Sequence, residues 1–152
     1  MENDLDIMKL IYRGGIIHNV EGSSAQEVYK EICGKISVPS YIDKENLFSE
    51  LCQRENTIST AIGNGISLPH PTHPLMKDIE DQQITVCYLK NPIDMKALDH
   101  NPIKTMFIIL TSDQKSHLKI LSKLACAFQE KEVVHSLQEQ PDFEILQEIF
   151  SK

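Results

Sequence analysis

The sequence predicts an α/β fold: a layered single domain in which a mixed β-sheet of about five strands is flanked by helices on both faces. Three observations carry that expectation. The run Met106-Phe107-Ile108-Ile109-Leu110 is almost unbroken in apolar character, as a central strand covered on both faces requires. The run Ile84-Thr85-Val86-Cys87-Tyr88-Leu89 is rich in the branched and aromatic side chains that fill pleated sheets. Segments with the i, i+3, i+4 spacing of amphipathic helices lie before, between and after such runs.

Taken in order, Leu5 to Arg13 reads as a short helix stopped by Gly14-Gly15, and Ile16-Ile17-His18-Asn19-Val20 as a first strand. Ser24-Ala25-Gln26-Glu27 has capping-box spacing, in which serine and glutamate side chains satisfy each other's free backbone donors; a helix follows with Val28 and Ile32 facing the core. Pro39 breaks the chain, and Asp43 caps a second helix with apolar positions Leu47, Phe48, Leu51 and Cys52 and a last turn of Gln53-Arg54-Glu55. Thr57 to Leu68 forms two short extended pieces joined at Gly63-Asn64-Gly65, whose glycines tolerate positive φ, and His70 closes the second piece. Met76 to Gln83 is polar and acidic. Beyond the strand Ile84 to Leu89, a loop holding Asn91-Pro92 and Asn101-Pro102 leads to the strand Lys104 to Leu110. Ser112 or Asp113 caps a long helix with His117 in its first turn and an apolar stripe of Leu118, Leu121, Leu124, Ala125 and Phe128. Helices over Glu132–Gln138 and Phe143–Ser151, parted by Pro141-Asp142, finish the chain.

Residues 1–152 fit one domain, and a hydrophobic share of 41% with 24% charged residues is ordinary for a folded protein, so disorder is not expected. No apolar run reaches the roughly 18 residues of a membrane span. The start Met1-Glu2-Asn3-Asp4-Leu5-Asp6 is acidic where a signal peptide is basic and then apolar, which points to a cytoplasmic protein. A formal net charge of −7 without a basic stripe argues against nucleic acid and favours basic protein partners or simple solubility. Cys33, Cys52, Cys87 and Cys126 stand singly in core-like segments, without the pairing of metal or redox motifs, so buried free thiols are expected.

The chemistry concentrates in Ile62-Gly63-Asn64-Gly65-Ile66-Ser67-Leu68-Pro69-His70-Pro71. Pro69 and Pro71 fix their own φ and push the preceding residue out of the helical region, so the backbone carrying His70 is extended and its imidazole held in direction. A fixed imidazole suits nucleophilic or proton-transfer work. Arg54 at a helix end and His117 at a helix start directly after a central strand lie where functional groups of open α/β sheets gather.

These residues resemble the enzyme IIA component of the mannitol/fructose class of the phosphoenolpyruvate-dependent sugar phosphotransferase system. The resemblance spans almost the whole chain and rests on Arg54-Glu55, the Ile62–His70 segment, Pro92-Ile93-Asp94, Leu98-Asp99 and His117-Leu118 followed by Leu121 and Leu124-Ala125. It implies that His70 accepts a phosphoryl group from the phosphocarrier HPr or its nitrogen-branch counterpart, that Arg54 binds the phosphoryl oxygens, and that His117 stabilises them, aided by free backbone N–H groups at its helix start. Asn64, Gly65 and Pro69 would support the turn that holds His70. No metal or other cofactor is implied, and a IIB component or a regulated protein would receive the signal. The chain departs from the family pattern at Ala61, at Pro71-Thr72-His73-Pro74 after the histidine, at Met95 and at Lys104, which bears on partner docking. With no fused IIB, IIC or HPr segment, it resembles the nitrogen-regulatory branch more than a sugar-uptake component.

Two other readings compete. His70 and His73, with His18, His100 or Asp99, would form a metal site only if a third ligand converged, and the prolines keep the pair off a helix. A binding domain of the same fold without phosphotransfer is the other, although it leaves no physical reason to keep Arg54, His70 and His117 together. His73 is expected as a solvent-facing loop residue, and His18, His100 and His135 as structural or surface residues.

Overall fold

A computed structural model describes residues 6–150. Its elements run α1 (Ile7–Gly14), β1 (Ile16–Val20), α2 (Ala25–Lys35), α3 (Lys44–Thr57), β2 (Ala61–Gly63), β3 (Ile66–Ser67), a single 3₁₀ turn (Ile79–Asp81), β4 (Gln83–Ile93), β5 (Ile103–Leu110), α4 (Gln114–Ala127), α5 (Lys131–Gln138) and α6 (Phe143–Phe150). Expected helix residues Leu5 and Ser151, and the acidic start Met1 to Leu5, lie outside the described residues.

The five strands form one sheet in the order β1-β4-β5-β3-β2. It is mixed: β1 runs parallel to β4 and β3 parallel to β5, whereas β4 is antiparallel to β5 and β2 to β3. Side chains alternate across the two central strands, because successive residues of a strand point to opposite faces. Cys87, Leu89, Met106, Ile108 and Leu110 join Val28, Tyr29, Ile32, Leu47 and Leu51 of α2 and α3. Ile84, Val86, Tyr88, Phe107 and Ile109 join Leu10, Ile11, Ile120, Leu124, Phe128, Leu137 and Leu146 of the other four helices. The expected fold class is observed, with helices on both faces.

Local sequence explains where elements begin and end. Asp6, Asp43 and Asp113 each cap a helix by accepting a backbone N–H of its first turn. Ser24 accepts from Glu27 N, but Glu27 returns to Ser23 rather than to Ser24, so the capping box is offset by one residue. At Gly14, where α1 meets β4, a Cβ would stand 2.1 Å from the Ile84 carbonyl oxygen; only glycine allows this approach.

Three expectations are corrected. β4 does not end at Leu89: it continues through Asn91-Pro92 to pair Ile93 with Ile103, after a register shift beyond Tyr88, with Lys90, Asn91 and Pro92 exposed on the irregular stretch. The buried face of α4 is Ser116, His117, Ile120 and Leu124, not Leu118 or Ala125; Leu118 is 62% exposed, because His117 occupies the inward position and rotates the stripe. Cys33 and Cys87 are buried, Cys52 is half-buried and Cys126 is exposed, the last because it falls on the outer face of α4.

Candidate active site

His70 reaches its position through three backbone anchors. Leu68 N–H donates to Thr60 O (3.0 Å), Ile109 N–H donates to Pro69 O (2.9 Å), and β3 pairs with β5 through Ile66–Thr105 and Ser67–Met106. The segment Leu68-Pro69-His70 thus continues the line of β3 beside the last residues of β5. There α4 begins, and it carries His117 to the same spot.

The two imidazoles pack with ring centroids 4.3 Å apart at an interplanar angle of 54°. Together with Arg54, Thr111, Gln114 and the Pro71-Thr72-His73-Pro74 loop they line a pocket of about 150 Å³. The three residues singled out in the sequence therefore converge. Arg54 is anchored by donating from Nη1 to Ile58 O (2.8 Å), the carbonyl that follows α3, which leaves the rest of its guanidinium donors for the pocket.

His70 Nδ1 lies 2.8 Å from Leu68 O. A carbonyl oxygen only accepts, so Nδ1 carries the proton and Nε2 presents a lone pair. Burial lowers the His70 pKa below its ordinary value; the Arg54 charge adds to this, while the Leu68 carbonyl and Glu55 oppose it. His117 is lowered to about 4, first by burial and then by His70 and Arg54. Both rings are therefore neutral near pH 7.

Asn64, Gly65 and Pro69 act outside the pocket. Asn64 (φ 58°) and Gly65 (φ 78°) form the left-handed turn between β2 and β3. Asn64 N–H donates to Asp99 Oδ2 (2.8 Å), and this bond with that of Asn101 holds the Asp99 carboxyl below its usual range. Gly65 O accepts from Lys104 N and Thr105 N, locking the turn onto β5. At the start of α4, Asp113 Oδ1 takes the Ser116 N–H (2.7 Å) and Asp113 O takes that of His117 (3.2 Å). The cap thus occupies the Ser116 donor.

Three acidic or histidyl contacts were not foreseen as part of the site. Glu55, next to Arg54, accepts from Tyr29 Oη (2.6 Å), Thr60 N (2.9 Å) and Thr60 Oγ1 (2.7 Å), pinning the end of α3 to α2 and to the chain entering β2. Burial, then Glu55, raises the pKa of the Tyr29 phenol, so it stays a donor. His73 is exposed as expected, yet it also lines the pocket and is held by Glu50 of α3. Adjacency to Arg54 was the available signal for Glu55; Glu50 has only its position one helical turn before Arg54. His18 instead packs against Tyr88 with the rings tilted by 43° and centroids 5.2 Å apart, and among the described residues no three His, Cys, Asp or Glu side chains gather as metal ligands.

The sequence matches the family model "Phosphoenolpyruvate-dependent sugar phosphotransferase system, EIIA 2" over residues 9–152. It is 28% identical over 145 residues to a nitrogen regulatory protein of Pseudomonas aeruginosa, covering 93% of this chain and 92% of that protein. The fold superposes on the crystal structure of nitrogen regulatory protein IIA-Ntr from Neisseria meningitidis with a TM-score of 0.77 at 26% identity, covering 95% of this chain and 98% of that one. It also superposes on enzyme IIA in the complex of mannitol IIA and phosphorylated mannitol IIB from Escherichia coli, with a TM-score of 0.66 at 14% identity over 90% and 93% of the chains; that likeness shows the fold alone. Sequence match and architecture agree, and the chain belongs to the EIIA type 2 family of the phosphoenolpyruvate-dependent sugar phosphotransferase system, whose IIA components are phosphoryl-transfer proteins.

Proposed function

We propose that His70 Nε2 is the phosphoryl acceptor of this chain, with Arg54 and His117 as the groups that bind the transferred phosphoryl. The observation that carries the reading is the Nδ1–Leu68 O bond, which commits the ring to the tautomer with a nucleophilic Nε2 inside a pocket shared with a guanidinium and a second imidazole. In transfer, the P–N bond of a donor phosphohistidine breaks as the Nε2–P bond forms, and little further covalent chemistry falls to the protein. Arg54 offers a planar fork of donors to the equatorial oxygens. Neutral His117 offers one ring N–H and adds no like charge to His70.

The donor of this reading is HPr or an HPr-like phosphocarrier, acting in the cytoplasm. Likeness to two nitrogen regulatory proteins favours regulation, in which the phosphorylated and free forms address different proteins; passage to a IIB component is the second use. Incubation with phosphoenolpyruvate, enzyme I and HPr or an HPr-like carrier should add one acid-labile phosphoryl group to the wild type and none to His70→Ala. Labelling that survives His70→Ala refutes the assignment. His117→Ala should remain folded and transfer at least about tenfold more slowly, since a donor to a charged group contributes on the order of 1.5–3 kcal/mol.

A further inference from the structure

The loop after His70 places a third imidazole on the rim of the pocket. His73 gives its backbone N–H to Glu50 Oε1 (3.0 Å), and its Nδ1 lies 3.1 Å from Glu50 Oε2. A carboxylate only accepts, so Nδ1 is protonated and the ring's variable position is Nε2. The Glu50 side chain is 14% exposed whereas that of His73 is 71% exposed, so the anchor is sunk in the wall and the ring stands at the mouth. Glu50 precedes Arg54 by one turn of α3, and one helix therefore positions both the guanidinium and the His73 ring along the same pocket. Pro71 and Pro74 bracket the loop and restrict its backbone.

We propose that His73, held by Glu50, is a further phosphoryl-binding residue that protonates at Nε2 when His70 becomes phosphorylated and donates that N–H to a phosphoryl oxygen. The proposal rests on His70 being the acceptor. The charged and titratable groups facing the ring are Glu50 and Arg54 of α3, His70 on its own segment and His117 of α4. Before transfer both partner imidazoles are neutral. Transfer brings in a phosphoryl dianion, and Glu50 with the dianion then favours imidazolium over imidazole at His73. The proton comes from solvent; the P–N bond exchange itself is unchanged.

The test uses the full chain as wild type, His73→Ala, His73→Gln and Glu50→Gln, phosphorylated by the donor cascade or by phosphoramidate. The His73 ring resonances are followed against pH by NMR before and after phosphorylation. The equilibrium of phosphoryl exchange with the donor carrier is measured in parallel. Phosphorylation should move the His73 titration to higher pH in the wild type and by less in Glu50→Gln. His73→Ala should lower the exchange equilibrium constant about 3- to 10-fold, the range for losing one partly exposed charge-assisted contact, and His73→Gln should recover part of it. A wild-type His73 titration that is the same in both states, or an exchange equilibrium unmoved by His73→Ala, overturns the proposal while leaving His70 as acceptor. A wild type that takes no phosphoryl group from either source overturns both.

Discussion

At the scale of single residues, burial keeps the His70 and His117 imidazoles neutral. His117 is lowered from 6.5 to about 4, and His70 is lowered in the same direction, so between those values the unfolded chain binds protons that the folded chain does not. Stability therefore rises with pH across this window and is lost as pH falls through it. Acidification from about pH 6.5 to about pH 5 should cost on the order of 1–2 kcal/mol at His117. Urea unfolding of the wild type and His117→Asn at a series of pH values checks this; an equally steep pH dependence in the variant refutes it. His70 was legible because two prolines enforce its setting by covalent geometry alone. The Glu50–His73 contact was not, because it joins residues separated by a helix end, two strands and a turn, and no local spacing encodes that approach.

Among the elements, the end of α3 matters most, since it carries Arg54 and is tied down by Glu55. Removing that carboxylate leaves the buried Tyr29 hydroxyl and the Thr60 donors without their partner. Glu55→Ala should cost about 2–4 kcal/mol and slow phosphoryl transfer by loosening Arg54, whereas Glu55→Gln should retain most of the stability. Denaturant titration and transfer kinetics measure the two effects, and a Glu55→Ala protein of wild-type stability excludes the role. Helix starts were readable because Asp and Ser caps act within one turn. The extent of β4 was not, since Pro92 marks a loop by local rules and only the neighbouring β5 shows that the stretch is paired again at Ile93.

For the molecule as a whole, the class and the two-faced core followed from periodicity, because alternation along β4 and β5 and the helical stripes are properties of the chain itself. Strand order is a property of tertiary contact. The expected single domain of 1–152 remains a proposal, and its sheet spans the described residues from Ile16 to Leu110. Exposure of Leu118 and Cys126 departs from expectation for one shared reason: a helix face is set by what it packs on, and His117 takes an inward position that composition assigns to leucine.

The parallel pairing of β3 with β5 predicts an order of events in folding. β4 and β5 are neighbours in sequence and pair at low loop-closure cost, whereas bringing Ile66 beside Thr105 closes a much longer loop. The pocket around His70 is accordingly expected to assemble after the central ribbon. In stopped-flow kinetics, Ile66→Val, a loss of about 1 kcal/mol, should act by speeding unfolding, while Val86→Ala should slow refolding. Equal slowing of refolding by both would show that the two halves of the sheet form together.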